Sequence, residues 1–382
     1  MDSARPVPVP GFADQHAHLL RTAAGVPFPA NTAAVREFHQ RVAAQGSTPM
    51  DVLDPPLDQP GLGRVLRAGL VRAARCGLVE ITEMGMRSWA YLEALGAEQE
   101  AGPLPVRVRV YLASGLAGEA SLDELDARRS DCGPWVRLDG VKFYADGWLG
   151  PRTCALCADF TDTGDSGLLF TDAARLARRI APLASRGWRI ATHAIGDRAA
   201  ATVLDAYELA FDGDRAALAA AGPRIEHASV LSADLITRMA GLGVTACIQP
   251  SFAVTDAGLL RPALGRDRAA QAYPYTAMLA AGVPMLAGSD YPIEVLDPLV
   301  GLARLTAGRS DRPGFSTADP APGQAILPVR AAFAMMTDGA AGQTLVSADP
   351  RTTPGGIDAI EVTGTAPAPF WPGCGGGSPF PR

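Results

Sequence analysis

No apolar run in this sequence approaches the ~18 uninterrupted residues of a membrane span, and the N-terminus lacks the basic-then-apolar layout of a signal peptide. A membrane role is not expected, and the chain reads as cytoplasmic. Positive charge is not in excess either. The formal net charge is -6, and without a basic stripe to meet a phosphate backbone, nucleic acid is disfavoured as a partner. Cysteine is sparse and scattered: Cys76, Cys132, Cys154, Cys157, Cys247 and Cys374 make no disulfide framework. Cys154 and Cys157 form a lone C-x-x-C with no second pair to complete a zinc knuckle, so reduced thiols are expected. No Gly-rich phosphate turn follows the first apolar run, which weakens the case for a doubly wound nucleotide-binding sheet.

What is present is organised around Pro10-Gly-Phe-Ala-Asp-Gln-His-Ala-His18. Residues i and i+2 of an extended chain project to the same side, so His16 and His18 can grip one object, naturally a divalent metal. Alone, such a pair equally fits two surface histidines. The rest of the chain adds His193, His227 and Asp290, each at the C-terminal end of its own short apolar run. The fifth histidine, His39, falls in a helical segment and reads as solvent-facing or as a core residue with its hydrogen bonds met.

Eight such runs alternate with helical segments: those ending at His18, at 78–82, 106–112, 138–144, 188–193, 224–227, 244–249 and 284–290. Helix patterns precede them, for example 33–44, 62–75 and 172–185, the second stopped by Gly77. Eight strands interleaved with helices argue for a (β/α)₈ TIM barrel, whose functional side chains gather at the C-terminal strand ends. The bounds read as an N-terminal extension over 1–8 without a strand, a barrel over 9–340, a remnant over 341–362 and a disordered tail from 363 to 382. Phe370 and Trp371 in that tail are candidates to dock on the body.

Imidazoles and a carboxylate from several strands suit zinc, iron or manganese, and leave positions for water. Asp290 can touch the metal and also accept the proton of that water, the catalytic role assigned to it. Lys142 lies inside an apolar run, where an ammonium must be paired or altered. Two readings stay open: a carbamate formed with carbon dioxide, which could bridge two metals, or an ion pair with Asp146 or another carboxylate.

The ordered motifs Pro-Gly-Phe-x-Asp-x-His-x-His at 10–18, Lys-Phe-x-x-Asp-Gly-x-x-Gly-x-Arg-Thr at 142–153, His-Ala-Ile-Gly-Asp-Arg-Ala at 193–199, Ile-Glu-His-Ala at 225–228, Gln-Pro at 249–250 and Gly-Ser-Asp-Tyr-Pro at 288–292 resemble the amidohydrolase superfamily. More narrowly they are similar to its branch containing N-substituted formamide deformylase. The resemblance implies a metal-dependent hydrolase of a small-molecule amide, N-formyl, N-acyl or cyclic amide. It puts metal ligation on His16, His18, a carboxylated Lys142, His193, His227 and Asp290. It also implies a small β-sandwich, which here looks missing or vestigial, with only 357–362 as a remnant and the first barrel strand held by the barrel alone.

Around the metals, Asp146, Trp148, Arg152, Gln249 and Tyr291 are the candidate substrate-binding residues, Arg152 by orienting a substrate carboxylate or carbonyl. Glu226 is expected to alternate to the far side of its strand from His227 and to support the barrel, with an arginine as partner. A mononuclear deaminase and a degenerate barrel that only binds a ligand are the competing readings, and homo-oligomerisation is left open.

Overall fold

The eight apolar runs become the eight parallel strands of a barrel in the computed structural model, which describes residues 5–26, 32–54, 61–312, 326–353 and 356–370. Counting from the N-terminus, the strands are β1 (Val7–Pro10), β2 (Phe12–Ala17), β3 (Leu78–Met86), β4 (Arg107–Ala113), β5 (Val136–Tyr144), β6 (Arg189–Ala194), β7 (Arg224–His227), β8 (Thr245–Ile248), β9 (Met285–Ala287), β10 (Gly342–Val346) and β11 (Val362–Pro367). Strands β2 to β9 pair in sequence order, every pair parallel. This order is what successive strand-helix-strand crossovers produce. Every residue of β2, β3 and β4 is buried, as parallel strands covered on both faces require.

The seam between β9 and β2 is closed just past the strand ends. Asp290 N–H donates to His16 O at 2.6 Å, and His18 N–H to Tyr291 O at 2.7 Å. Asp14 adds a side-chain clip, accepting from the Ser289 hydroxyl at 2.5 Å and the Ser289 N–H at 2.9 Å. The same carboxylate accepts from His16 N–H at 3.1 Å. Two residues on the C-terminal rim, His16 and Asp290, are thereby fixed relative to each other by the bonds that close the barrel.

The helices at Thr32–Ala44, Leu62–Arg75 and Ala173–Ala184 fall where the apolar periodicity places them. Lower in the barrel, Arg107 and Arg109 of β4 reach Glu80 of β3, while Arg109 also meets Asp139 of β5 at 2.7 Å. These groups are almost fully buried, so each needs its partner to remain charged.

Outside the barrel the structure differs from the sequence reading. Strands β1, β10 and β11 form a three-stranded antiparallel sheet, a small vestige of a second layer. The stretch expected to lack a strand supplies β1, and the tail expected to be disordered supplies β11. Of 341–362, expected to hold the remnant, 342–346 is strand β10, while 357–359 of the apolar run 357–362 is one turn of 3₁₀ helix. Val-Pro-Val-Pro hides β1 because proline cannot donate to a ladder, yet β1 is an edge strand, where that loss is tolerated.

The first barrel strand is therefore not held by the barrel alone. Thr344 of β10 accepts from Phe12 N–H at 3.0 Å and donates to Gly77 O at 2.7 Å, clipping the sheet to the starts of β2 and β3. Gly77 has φ +97°, and a Cβ there would come within 2.8 Å of Val362 Cγ2. Phe370 docks beneath the Arg107 guanidinium, 4.5 Å from its ring centroid. Trp371 and residues 371–382 lie outside the described residues. Among the described residues, no helix is long and apolar enough to cross a membrane.

Candidate metal centre

His16 lies in β2, Lys142 in β5, His193 in β6 and His227 ends β7, while His18 and Asp290 follow β2 and β9. The barrel brings all six to one mouth. Asp290 Oδ1 lies 3.1 Å from His18 Nε2 and 3.5 Å from His16 Nε2. One donor atom each from His16, His227 and Asp290 falls within 4.8 Å of the others. His193 closes the group, its ring centroid 4.5 Å from that of His227. His227 and Asp290 have φ of +76° and +57°, a left-handed conformation rare outside glycine and concentrated at functional sites.

Hydrogen bonds select one nitrogen on each of three rings. His16 Nδ1 meets Glu226 Oε2 at 2.5 Å, and His227 Nδ1 meets Gln249 Oε1 at 2.7 Å. A carboxylate and an amide oxygen can only accept, so both rings carry their proton on Nδ1 and turn a bare Nε2 to the mouth. His193 is reversed: Nε2 meets Gly147 O at 2.9 Å, and Nδ1 is buried without a hydrogen-bond partner. Burial pushes the pKa of His18 down to about 4 and that of His227 to about 3, so the rings are neutral with lone pairs available. Burial opposes ionisation of Asp290, but the facing His16, His18 and His227 hold its carboxyl well below the usual range.

Lys142 is the only lysine in the chain and is fully buried. Its Nζ has no hydrogen-bond partner, and burial lowers its pKa to about 8. The expected pairing with Asp146 is not made. The orphaned Lys142 Nζ, the imidazoles of His16, His18, His193 and His227, and the Asp290 carboxylate therefore face the same space. This donor set fits a divalent cation of the nitrogen- and oxygen-accepting kind.

The remaining candidates divide. Trp148 lines a cavity of about 320 Å³ that opens onto His18, His193, His227 and Asp290. Asp146 does not face a substrate: its carboxylate accepts from the N–H groups of Ala155, Ile195 and Gly196, which join the loops after β5 and β6. Arg152 turns away, its guanidinium on Asp162 and on the carbonyls of Leu149 and Gly150. Tyr291 also points outward, its hydroxyl accepting from Arg72 at 2.9 Å. Gln249 orients His227 rather than a substrate oxygen. Glu226 has its arginine, Arg224, at 2.7 Å, but also reaches His16, a contact that strand alternation did not anticipate. His39 is a buried core residue, bonded to Thr153 Oγ1 at 2.8 Å.

A sequence model of the amidohydrolase family matches residues 34–347. The chain belongs to the amidohydrolase family. Membership does not single out the deformylase branch. The putative amidohydrolase YtcJ of Bacillus subtilis is 31% identical over 232 residues, which are 59% of this chain and 42% of that protein. The match thus spans less than half of that relative. An uncharacterized metal-dependent hydrolase from Pyrococcus furiosus superposes with a TM-score of 0.64 at 22% identity, over 94% of this chain and 85% of the other. One from Pyrococcus horikoshii gives 0.66 at 20% identity, over 91% and 87%. At these identities the likeness is one of fold.

Proposed function

We propose that this amidohydrolase breaks the C–N bond of a small amide, N-formyl, N-acyl or cyclic amide substrate. The observation that carries the reading is the hydrogen-bond selection of ring nitrogens: His16 Nε2, His227 Nε2 and His193 Nδ1 are the atoms left bare, and they face Asp290 and Lys142. Together with His18, these residues would hold one or two zinc, iron or manganese ions. When bound, such an ion supplies Lewis acidity that polarises a carbonyl and acidifies water.

The chain supplies the rest. Asp290, ionised and beside the cluster, takes a proton from the attacking water and returns it to the departing nitrogen, so that amide plus water gives acid plus amine. The apolar walls of the cavity, including Trp148, Leu149 and Phe252, exclude bulk water around the reacting bond. Lys142 joins the ligand set as a carbamate: its neutral amine bonds the carbon of carbon dioxide and one proton leaves.

The compact trio of His16, His227 and Asp290 favours a second reading, a one-metal deaminase in which Lys142 stays an amine. Metal analysis of the purified, supplemented protein separates the two. Two equivalents per chain and hydrolysis within a panel of N-formyl, N-acyl and cyclic amides support the proposal. One equivalent with ammonia release supports the deaminase, and no bound metal would refute both. Asp290→Asn is expected to retain metal and lose turnover.

A further inference from the structure

Part of the cavity wall is acidic. Beyond the metal-facing residues, the charged side chains lining the cavity are Asp256 and Glu294, and no lysine or arginine lines it among the described residues. Asp256 lies four residues past Phe252, and both line the cavity. Positions i and i+4 share a helical face about 5–6 Å apart, and Phe252 itself stacks on His227 with ring centroids 6.0 Å apart. Asp256 thus stands about one turn along from Phe252. Thr255, between them, donates to Glu294 Oε1 at 2.6 Å, which brings the second carboxylate to the same end.

Asp256 shows no hydrogen-bond partner among the described residues that line the cavity, and Glu294 shows one there, Thr255. Asp256 Oδ2 accepts from the Tyr273 hydroxyl, and Glu294 Oε2 lies 3.6 Å from Arg304 Nη1; neither Tyr273 nor Arg304 lines the cavity. Burial raises the pKa of Asp256, and Arg152, whose charge opposes that shift, is committed to Asp162. Carboxylates at the wall of a mainly apolar cavity are incompletely compensated, and a cationic partner there makes charge-assisted hydrogen bonds. An anionic group would instead meet two like charges and no donor of opposite sign.

Resting on the hydrolase reading above, we infer that the substrate carries a cationic nitrogen, an ammonium or guanidinium, at the end of an apolar spacer, seated against Asp256 and Glu294 while its amide lies among the histidines. Phe252 and Trp148 flank the spacer. The volume of about 320 Å³ is at the low end of small-molecule sites, which suits an acylated diamine rather than a polymer.

The test uses zinc-loaded protein and three N-formyl substrates of matched length: mono-N-formyl-1,4-diaminobutane, N-pentylformamide and N-formyl-4-aminobutyrate. The cationic member is expected to show kcat/KM at least tenfold above the neutral one, with the anionic member lowest. Asp256→Asn and Glu294→Gln should each pull the cationic-to-neutral ratio towards one. A second arm measures binding by calorimetry, butylammonium against 1-butanol, where wild type should prefer the cation at least tenfold and Asp256→Asn should lose the preference. Cation preference in binding with no hydrolysis of any member sustains this inference and sinks the hydrolase reading. Hydrolysis without charge preference, or with the anion preferred, overturns this inference and leaves the hydrolase reading standing.

Discussion

Removing the amide of Gln249 should weaken metal binding although Gln249 itself faces no metal. In Gln249→Leu, His227 Nδ1 loses the only acceptor shown for it, Oε1 at 2.7 Å, in surroundings where both residues are almost fully buried and water cannot substitute. The ring then has two options. It can keep its proton on Nδ1 as an orphaned buried donor, an arrangement that costs about 1–3 kcal/mol, or move the proton to Nε2 and cease to offer a lone pair to the mouth. Either way, loss of such an orienting partner lowers metal affinity by about 10–100-fold, equivalent to about 1.4–2.8 kcal/mol. Gln249→Glu retains an accepting oxygen at the same place and should bind far closer to wild type. Competition with a chelator of known affinity reads the difference, with circular dichroism confirming the fold. Wild-type affinity in Gln249→Leu would refute the claim that His227 presents Nε2 because Gln249 holds its other nitrogen.

Two further outcomes concern the scaffold. Burial opposes ionisation of Asp139, but Arg109, Arg189 and Arg137 hold its pKa down to about 2 against 3.8 for the free side chain. Its folded-state pKa is the lower one, so its contribution is present above pH ~4 and is lost as pH falls towards 2, amounting to about 2 kcal/mol. Denaturant unfolding of Asp139→Asn should therefore show a shallower loss of stability than wild type between those pH values, and parallel curves would contradict the assignment. Thr344→Val keeps the shape but strips Phe12 N–H and Gly77 O of their shared partner, a change of about 1–3 kcal/mol. Its unfolding midpoint should fall while its metal content stays at the wild-type level.

The barrel was legible because its signals are redundant: each of eight apolar runs ends where a helix pattern approaches the next, and an error in one would have left seven. The small sheet has no such redundancy. Its three strands come from residues 7–10, 342–346 and 362–367, pieces too far apart in sequence for any periodicity to link them. One carries two prolines. What joins them is tertiary, the Thr344 bridge and the packing of Val362 over Gly77, and neither leaves a local mark in the sequence.

At the site, the convergence of the six candidate ligands on one mouth was legible for a geometric reason, since strand ends of a barrel converge whatever the loops do. Side chains further along the loops were not, because their direction depends on turns. Arg152, at φ +56°, swings its guanidinium back onto its own loop and Asp162 instead of the cavity. The alternation rule failed at Glu226 for a related reason. It assumes extended backbone at both residues, but His227 and Ala228 take φ of +76° and +49°, so the chain has already left the strand. His227 turns up to the mouth while Glu226 stays on the inner side of β7, beside Arg224 and under His16 on β2. The acceptors that orient the rings, Glu226 on β7, Gln249 after β8 and the Gly147 carbonyl after β5, are contributed by other strands than the histidines they serve. A metal site of this kind is thus written twice, once as ligands that strand ends reveal and once as cross-barrel partners that only closure of the barrel brings within reach. Lys142 is the exception, since a single lysine in 382 residues, set within an apolar run, marks itself by composition.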